Sequence, residues 1–220
     1  MEPWYKVVQP RPEVSAGRSF NPDEFAIALE QVVAGRAPED YRDPVKFFAR
    51  TCFTRALREH IGMVLRRLNG ETANDAPVLT LITQFGGGKT HTLAALYHLV
   101  KNATALPSAI QNDLLRVLEA THLPSARVAV FVGNAWDPTD GRETPWIDIA
   151  RQLAGDKGVA ALGHEARTTP PGTEAIARIV EAAGGSILLL FGTTETQRSS
   201  RPTEKSGKRK TRCARCLGGE

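Results

Sequence analysis

The sequence predicts an α/β fold in which helices flank a parallel sheet. Three short apolar runs rich in β-forming residues lie within residues 77–83, 126–134 and 186–191, and stretches with helical periodicity separate them. Apolar runs without alternation are typical of parallel strands buried on both faces. Because strands alternate with helices along the chain, we expect one parallel sheet with right-handed connections.

The composition indicates a soluble globular protein. The 220 residues are 41% hydrophobic and 24% charged, and no apolar run approaches the length needed to span a bilayer. The N-terminus lacks the apolar core of a signal peptide, so we expect a cytoplasmic protein without a membrane partner. Three cysteines, Cys52, Cys213 and Cys216, argue against a disulfide framework and fit a reducing compartment.

The chain divides into four predicted parts. Residues 1–20 are rich in proline and polar groups and form an extended arm, 21–70 form an N-terminal helical segment, 71–191 form the α/β core, and 192–220 form a disordered basic tail. The helical segment should begin at Asn21, a capping residue followed by proline, and its first helix should end at Gly35.

A second helical pattern predicts one long amphipathic helix from Asp43 to Gly70. Asp43 can cap it and is followed by Pro44, and apolar residues recur at three- and four-residue steps between arginines and glutamates. In the core, further helices are predicted at 90–100, around 114–120, at 146–153 and at 174–183.

The segment that joins the first apolar run to the next helix carries a phosphate-binding pattern. Residues 83–90 read TQFGGGKT, which matches G-x-x-x-x-G-K-[ST] except that Thr83 replaces the first glycine. A glycine-rich turn with an incidental lysine is the alternative interpretation. Strand, loop, Lys-Thr and helix coincide here, and this coincidence favours a P-loop that binds a nucleotide, with ATP and Mg²⁺ as the expected ligands.

Each residue type in this loop has a chemical reason. Gly86, Gly87 and Gly88 lack a Cβ, so successive backbone N–H groups can turn toward one anion at the positive end of the following helix. Lys89 would reach the β- and γ-phosphates, and the hydroxyl of Thr90 would ligate Mg²⁺. The adjacent His91 is expected to be a packing or capping residue, and we assign it no role.

Hydrolysis needs an acidic residue at the end of a second buried strand, and the sequence lacks an obvious one. The run SILLLF at 186–191 is the best candidate strand, but Gly192 and Thr193 follow it instead of Asp-Glu. Glu195 lies in the polar tail, and Asp137 and Asp140 lie in a segment typical of a turn. Catalytic residues are therefore unknown, and we expect nucleotide binding with impaired hydrolysis.

Four stretches together resemble a known family. FNPDEFAIALEQVVAG, DPVKFFARTCFTRAL, TQFGGGKTHTLAALYHL and TPWIDIARQLAG are similar to the N-terminal part of the large DUF499 proteins, predicted ATPases of the AAA+ class. The similarity runs from near Trp4 to about Phe191. It implies an AAA+-like P-loop NTPase sheet, incomplete in this chain, with Gly88, Lys89 and Thr90 in the nucleotide-binding motif.

The resemblance also implies a biological setting. DUF499 proteins are typically several times longer and often occur beside DNA methyltransferase-like genes in phage-defence or modification loci, which implies such a partner. A homo-oligomer is possible in a full-length form. We expect this chain to be an N-terminal portion of such an ATPase, truncated or frameshifted after Phe191.

The basic tail supports an alternative function. Residues 192–220 contain 8 Lys/Arg and 3 Asp/Glu, so a nucleic-acid-binding protein that acts through this tail is the main alternative. We favour a solvated, unselected tail as the explanation of the charge, because the run has no interleaved aromatic residues. The lone CARC is only half of a zinc motif. A P-loop protein of another class is a third reading, weakened because neither a guanine signature nor a transporter-ATPase signature is present.

Overall fold

The computed structural model describes most of the first 192 residues. The described residues are 3, 6, 8–10, 12–17, 27–71, 77–82, 87–133 and 143–192. The helices are α1 Pro12–Ser15, α2 Leu29–Val33, α3 Glu39–Arg42, α4 Pro44–Arg50, α5 Arg55–Leu68, α6 Lys89–Lys101, α7 Ser108–Leu118, α8 Pro145–Leu162 and α9 Thr173–Ala183; the strands are β1 Arg127–Val132 and β2 Ile187–Gly192. Short 3₁₀ turns follow α6 and α8 at Ala103–Ala105 and His164–Arg167.

The two strands form a small parallel sheet that helices flank. β1 pairs with β2 in register from Arg127 opposite Ile187 to Val132 opposite Gly192. Apart from Arg127 at the start of β1 and Gly192 at the end of β2, both strands consist of Val, Leu, Ala, Ile and Phe, the residue types that suit a sheet covered on both faces. The predicted mixture of helices and parallel strands is therefore confirmed, as are the strands expected at 126–134 and 186–191.

The strand expected at the first apolar run is wrong for the residues that the structure describes. Residues 77–82 have no regular secondary structure, and the side chains of Val78 and Ile82 are 74% and 88% exposed. An apolar sequence becomes a strand only when another strand accepts its backbone hydrogen bonds. Among the described residues the sheet has two strands, and neither lies against this segment.

The core lies on both faces of the sheet. On one face, Val128, Val130, Leu188 and Leu190 join a cluster of apolar side chains from α2 and α4–α7. On the other face, Ala129 and Ile187 pack with apolar residues of α8 and α9. Successive side chains of a strand point to opposite faces, so each strand contributes to both clusters and holds the three layers together.

The helix predicted from Asn21 to Gly35 is not continuous, because it is interrupted at Ala28. Ala28 has extended dihedral angles (φ −106°, ψ 112°), and α2 begins only at Leu29. The proposed cap at Asn21 lies outside the described residues. The predicted end is confirmed, because the helix stops at Val33 and Gly35 has φ of 68°.

The long helix predicted from Asp43 to Gly70 is two helices. The start is confirmed, because Oδ1 of Asp43 accepts hydrogen bonds from the backbone N–H groups of Val45 (2.8 Å) and Lys46 (3.4 Å). The chain leaves the helix at Thr51, which is extended (φ −79°, ψ 118°), and restarts after Thr54, whose Oγ1 accepts from the N–H of Leu57 at 3.3 Å. A threonine side chain can form hydrogen bonds with nearby backbone groups and so compete with the helical ones. The periodicity of apolar residues gives no information about this competition.

The remaining helices follow the predicted pattern with shifted ends. α6 and α9 cover the predicted segments, whereas α7 begins earlier than predicted and ends at Leu118, before the predicted end at 120. α8 extends beyond its predicted end to Leu162 with a kink at Gly155 (φ 60°, ψ −143°). Within the predicted arm, α1 forms one short helical turn. Residues 193–220 lie outside the described part of the chain, so the expectation for the tail and the four-part division remain predictions.

Candidate phosphate-binding site

The second half of the glycine-rich segment leads directly into α6. Gly87 and Gly88 are exposed, and Gly88 is the N-cap of the helix in the left-handed conformation (φ 77°, ψ 13°). A Cβ at this position would meet no atom within 4 Å. The need for glycine therefore comes from the backbone angle, and open space lies in front of the turn.

Two hydrogen bonds fix the start of α6. The carbonyl oxygen of Gly88 accepts from the backbone N–H of Thr92 at 2.9 Å and from its Oγ1 hydroxyl at 3.0 Å. Thr92 is buried, so its side chain holds the first turn from the inside. These two bonds therefore hold the turn that carries Lys89 and Thr90 in one shape.

The electrostatics of this turn favour an anion. The first backbone N–H groups of an α-helix have no intrahelical acceptor, and the helix dipole places partial positive charge there. The first turn of α6 contains Lys89 and no acidic residue. A cation at this end is opposed by the dipole, and a bound anion would relieve that repulsion. Lys89 and Thr90 are both half-buried.

His91 connects the first turn of α6 to the end of α4. Its ring stacks on Phe47, with ring centroids 4.8 Å apart and an interplanar angle of 27°, and its Nε2 lies 3.2 Å from Oγ1 of Thr51. The Thr51 hydroxyl donates to the carbonyl of Phe47 at 2.8 Å, so it accepts from Nε2–H of His91. Burial lowers the pKa of His91, which favours the neutral ring.

A second histidine on α6 has a structural role. His98 is 1% exposed, its Nε2 donates to the carbonyl of Tyr41 at 2.8 Å, and its Nδ1 accepts from the side-chain amide of Asn102 at 3.0 Å. Burial lowers the pKa of His98, while the bond to Tyr41 and the charge of Asp43 oppose that shift. Both ring nitrogens are satisfied within the fold, so this residue does not face a ligand.

Several predicted site residues lie outside the described residues. These are Thr83 and Gly86 of the loop and the acidic candidates Asp137, Asp140 and Glu195. Gly87, Gly88, Lys89 and Thr90 are described and lie consecutively at the start of α6. In the described part of the chain, no three His, Cys, Asp or Glu side chains come together as a metal-binding group.

The contact between His91 and Thr51 is the feature that sequence reasoning missed. The sequence predicts packing or capping for His91, which its stacking on Phe47 confirms, but it places Thr51 inside a continuous helix. The signal was present in the sequence, because β-branched threonines at 51 and 54 flank an aromatic residue within an otherwise amphipathic pattern. Only the folded structure shows that this break lies against the residue that follows Lys-Thr.

The comparison with protein families decides the affiliation. A family model described as the DUF499 N-terminal domain matches residues 9–122, just over half of the chain. The chain belongs to the DUF499 family. The matched region contains all helices from α1 to α7 and ends before β1, so the DUF499 domain includes both the broken helical segment and the glycine-rich loop.

The other comparisons add nothing to this affiliation. No curated protein and no solved structure matches the DUF499 chain. The resemblance to DUF499 is confirmed over residues 9–122, and its continuation to Phe191 stays a prediction. Among the helices of the described residues, none combines the length and the apolar character that crossing a membrane requires.

Proposed function

We propose that this DUF499 chain is an ATP-binding protein of the AAA+-like P-loop class that uses Gly86–Thr90 as its phosphate loop. The observation that carries the proposal is the turn at Gly88. This glycine adopts a left-handed conformation, faces open space and delivers Lys89 and Thr90 into the first turn of a 13-residue helix. The support for the proposal comes from this turn together with Lys89 and Thr90, since residues 77–82 form no strand.

The chain's own groups supply the binding chemistry. The N–H groups at the start of α6 would donate to phosphate oxygens, and the ammonium of Lys89 would neutralise part of the charge of the β- and γ-phosphates. Because Gly88 and Thr92 fix the turn, these donors are arranged before the ligand arrives, which reduces the ordering cost of binding.

Magnesium fits the same site through Thr90. A hydroxyl oxygen together with phosphate oxygens and waters is the kind of ligand set that Mg²⁺ prefers, since this ion retains several waters. When bound, the ion would neutralise charge on the phosphates. Thr90 is half-buried and is the second residue of α6, directly after Lys89, which supports this role.

Hydrolysis is expected to be negligible in this chain. β2 ends at Gly192 beside Gly133, whose N–H donates to the Gly192 carbonyl at 3.1 Å, and neither position offers a carboxylate. The water that attacks the γ-phosphate needs a group that orients or deprotonates it. We therefore expect binding without appreciable phosphate release.

The test is equilibrium binding of Mg-ATP to the full chain and to two lysine variants. Lys89→Ala should weaken Mg-ATP binding by about tenfold or more, because charge-assisted hydrogen bonds to phosphate are lost. Lys101→Ala is the matched control, since Lys101 is exposed at the opposite end of the same helix, and it should bind like the wild type. Equal affinity of all three proteins would remove Lys89 from the proposed site.

A further inference from the structure

We propose that His91 and Thr51 couple occupation of the phosphate loop to the position of the N-terminal helical segment, with His91 acting as a positioning residue. This inference rests on the proposed nucleotide binding at Lys89 and Thr90. It adds a role for two residues outside the phosphate-binding motif, and it predicts that events at the loop are felt at α4 and at the break between α4 and α5.

The placement of His91 on α6 suits such a role. Side chains two positions apart on an α-helix point about 200° apart around the axis. His91 therefore lies on the side of the first turn opposite Lys89 and contacts Thr51 and Phe47 there. The turn presents its lysine on one side and is held by the N-terminal segment on the other.

The hydrogen-bond chain across this contact has one direction. Nε2–H of His91 donates to Oγ1 of Thr51 at 3.2 Å, and that hydroxyl donates to the carbonyl of Phe47 at 2.8 Å. Phe47 is 1% exposed and its ring also stacks on His91, so the end of α4 is attached to the first turn by polar and apolar contacts together. Removal of the Thr51 hydroxyl breaks both of these hydrogen bonds.

The two sides of the contact differ in their capacity to move. The first turn of α6 is fixed by the double hydrogen bond from Thr92 to Gly88, so it shifts as a unit with His91. On the other side, 51–54 is a non-helical joint between two helices, and its residues absorb a change of angle more readily than a helix interior. A displacement at the loop would therefore reach this joint through His91.

Thermodynamic linkage makes the coupling reciprocal. If a phosphate ligand strengthens the His91–Thr51 contact by some factor, the intact contact strengthens ligand binding by the same factor, so removal of the contact weakens binding by that coupling factor. A histidine that only fills space would lower stability without changing the affinity of the folded protein for its ligand. This difference separates a positioning role from a purely structural one.

Three variants of the full chain test the inference. Thr51→Val removes the hydroxyl with almost no change in shape, and Thr51→Ser keeps it. Thr54→Val is the matched destabilising control, because it removes the cap of α5 in the same segment without touching His91. Mg-ATP affinity and thermal midpoint are measured for each, beside the wild type and Lys89→Ala, at a temperature where all are folded.

The expected pattern is specific. Thr51→Val should weaken Mg-ATP binding roughly threefold to tenfold, the effect of one hydrogen bond, whereas Thr51→Ser and Thr54→Val should bind within about twofold of the wild type. Thr54→Val should nevertheless lower the thermal midpoint. In hydrogen exchange, Mg-ATP should slow exchange of residues 47–54 in the wild type and not in Thr51→Val.

Two results would overturn the inference, and they are distinguishable. The contact is packing only if Lys89→Ala loses affinity while Thr51→Val binds as tightly as the wild type. The same conclusion follows if residues 47–54 of the wild type show no ATP-dependent protection from hydrogen exchange. If Lys89→Ala and the wild type do not differ, the proposed function itself fails, and the coupling falls with it.

Discussion

The side-chain amide of Gln152 forms two hydrogen bonds with the backbone of Val130. Its Oε1 accepts from the N–H of Val130 at 2.9 Å, and its Nε2 donates to the carbonyl of the same residue at 3.0 Å. In a parallel ladder, both backbone groups of one residue point to the same side. The N–H groups of Arg127 and Gly133 donate to β2, and the direction alternates along a strand, so the N–H and carbonyl of Val130 point away from β2. The amide of Gln152 therefore pairs with the outer edge of β1, as the backbone of a neighbouring strand would.

Replacement of Gln152 by leucine should destabilise the chain by about 1–3 kcal/mol, because it leaves the N–H and carbonyl of the buried Val130 without their side-chain partners. Chemical denaturation measures the loss. Gln111→Leu is a useful comparison, since Gln111 also donates to two carbonyls, but in a turn and not at a strand edge. A loss below a few tenths of a kcal/mol for Gln152→Leu would show that water replaces its amide at no cost.

The outer edge of β2 should govern self-association. The Ser186 and Gly192 carbonyls face β1, so the backbone groups of Leu189 and Phe191 face away, and no described strand pairs with them. Their side chains are 37% and 47% exposed. A lysine at an exposed strand edge opposes edge-to-edge pairing.

Leu189→Lys should therefore slow concentration-dependent aggregation, followed by light scattering, without lowering the thermal midpoint by more than a few degrees. Ile176→Lys provides a matched control, because Ile176 is 36% exposed on α9 and lies away from a strand edge. Equal effects of the two lysines would mean that net charge and not the open edge controls association.

The cap of α4 should contribute measurably to stability. Asp43 accepts from two backbone N–H groups at the start of a helix that holds Phe47 and Phe48 in the core. Asp43→Ala should cost about 1 kcal/mol in the free energy of unfolding, and Asp43→Asn should restore most of it because asparagine caps equally well. If Asn is as damaging as Ala, the charge of Asp43 and not its hydrogen bonds is what matters.

The stability of the chain should rise with pH through the range just below the usual histidine pKa. Burial lowers the pKa of both His91 and His98 in the folded state from the ordinary value of 6.5. The unfolded chain then binds more protons than the folded chain between the lowered and the ordinary pKa, and stability increases with pH in that window. The contribution of the two neutral histidines to stability is fully present above about pH 6.5 and decreases as the pH falls below that value.

Urea denaturation from pH 5 to pH 7.5 measures this slope. His98→Gln should lower overall stability and reduce the slope, because one of the two shifted groups is gone. Ile61→Val, a buried substitution in the same cluster that carries no titratable group, should lower stability and leave the slope intact. An unchanged slope in His98→Gln would exclude this histidine as its source.

The elements with strong local signals were predictable. Asp43 followed by proline marked the start of α4, the helix predicted at 174–183 agrees with α9, and the apolar runs of β1 and β2 pair as parallel strands. In each case the local sequence and the tertiary environment favour the same structure. The position of Lys89 and Thr90 at a helix start also followed from the motif itself.

The errors arise where a tertiary contact decides the local structure. The run from Val78 to Ile82 has the composition of a strand, but composition does not supply a neighbouring backbone to pair with. The apolar period through Thr51 and Thr54 resembles one helix, and their side-chain hydrogen bonds interrupt it. The role of Gln152 could not be predicted, because it depends on a contact with a residue 22 positions away.

The most direct test of the account follows the backbone amides of the loop while Mg-ATP is added. In ¹⁵N-edited NMR spectra of the full chain, the amide signals of Gly87, Gly88, Lys89 and Thr90 should shift together and saturate, and the start of α9 at Thr173, another exposed helix N-terminus, should not respond. Saturating shifts confined to other parts of the chain, or none at millimolar Mg-ATP, would contradict the claim that this loop binds a nucleotide.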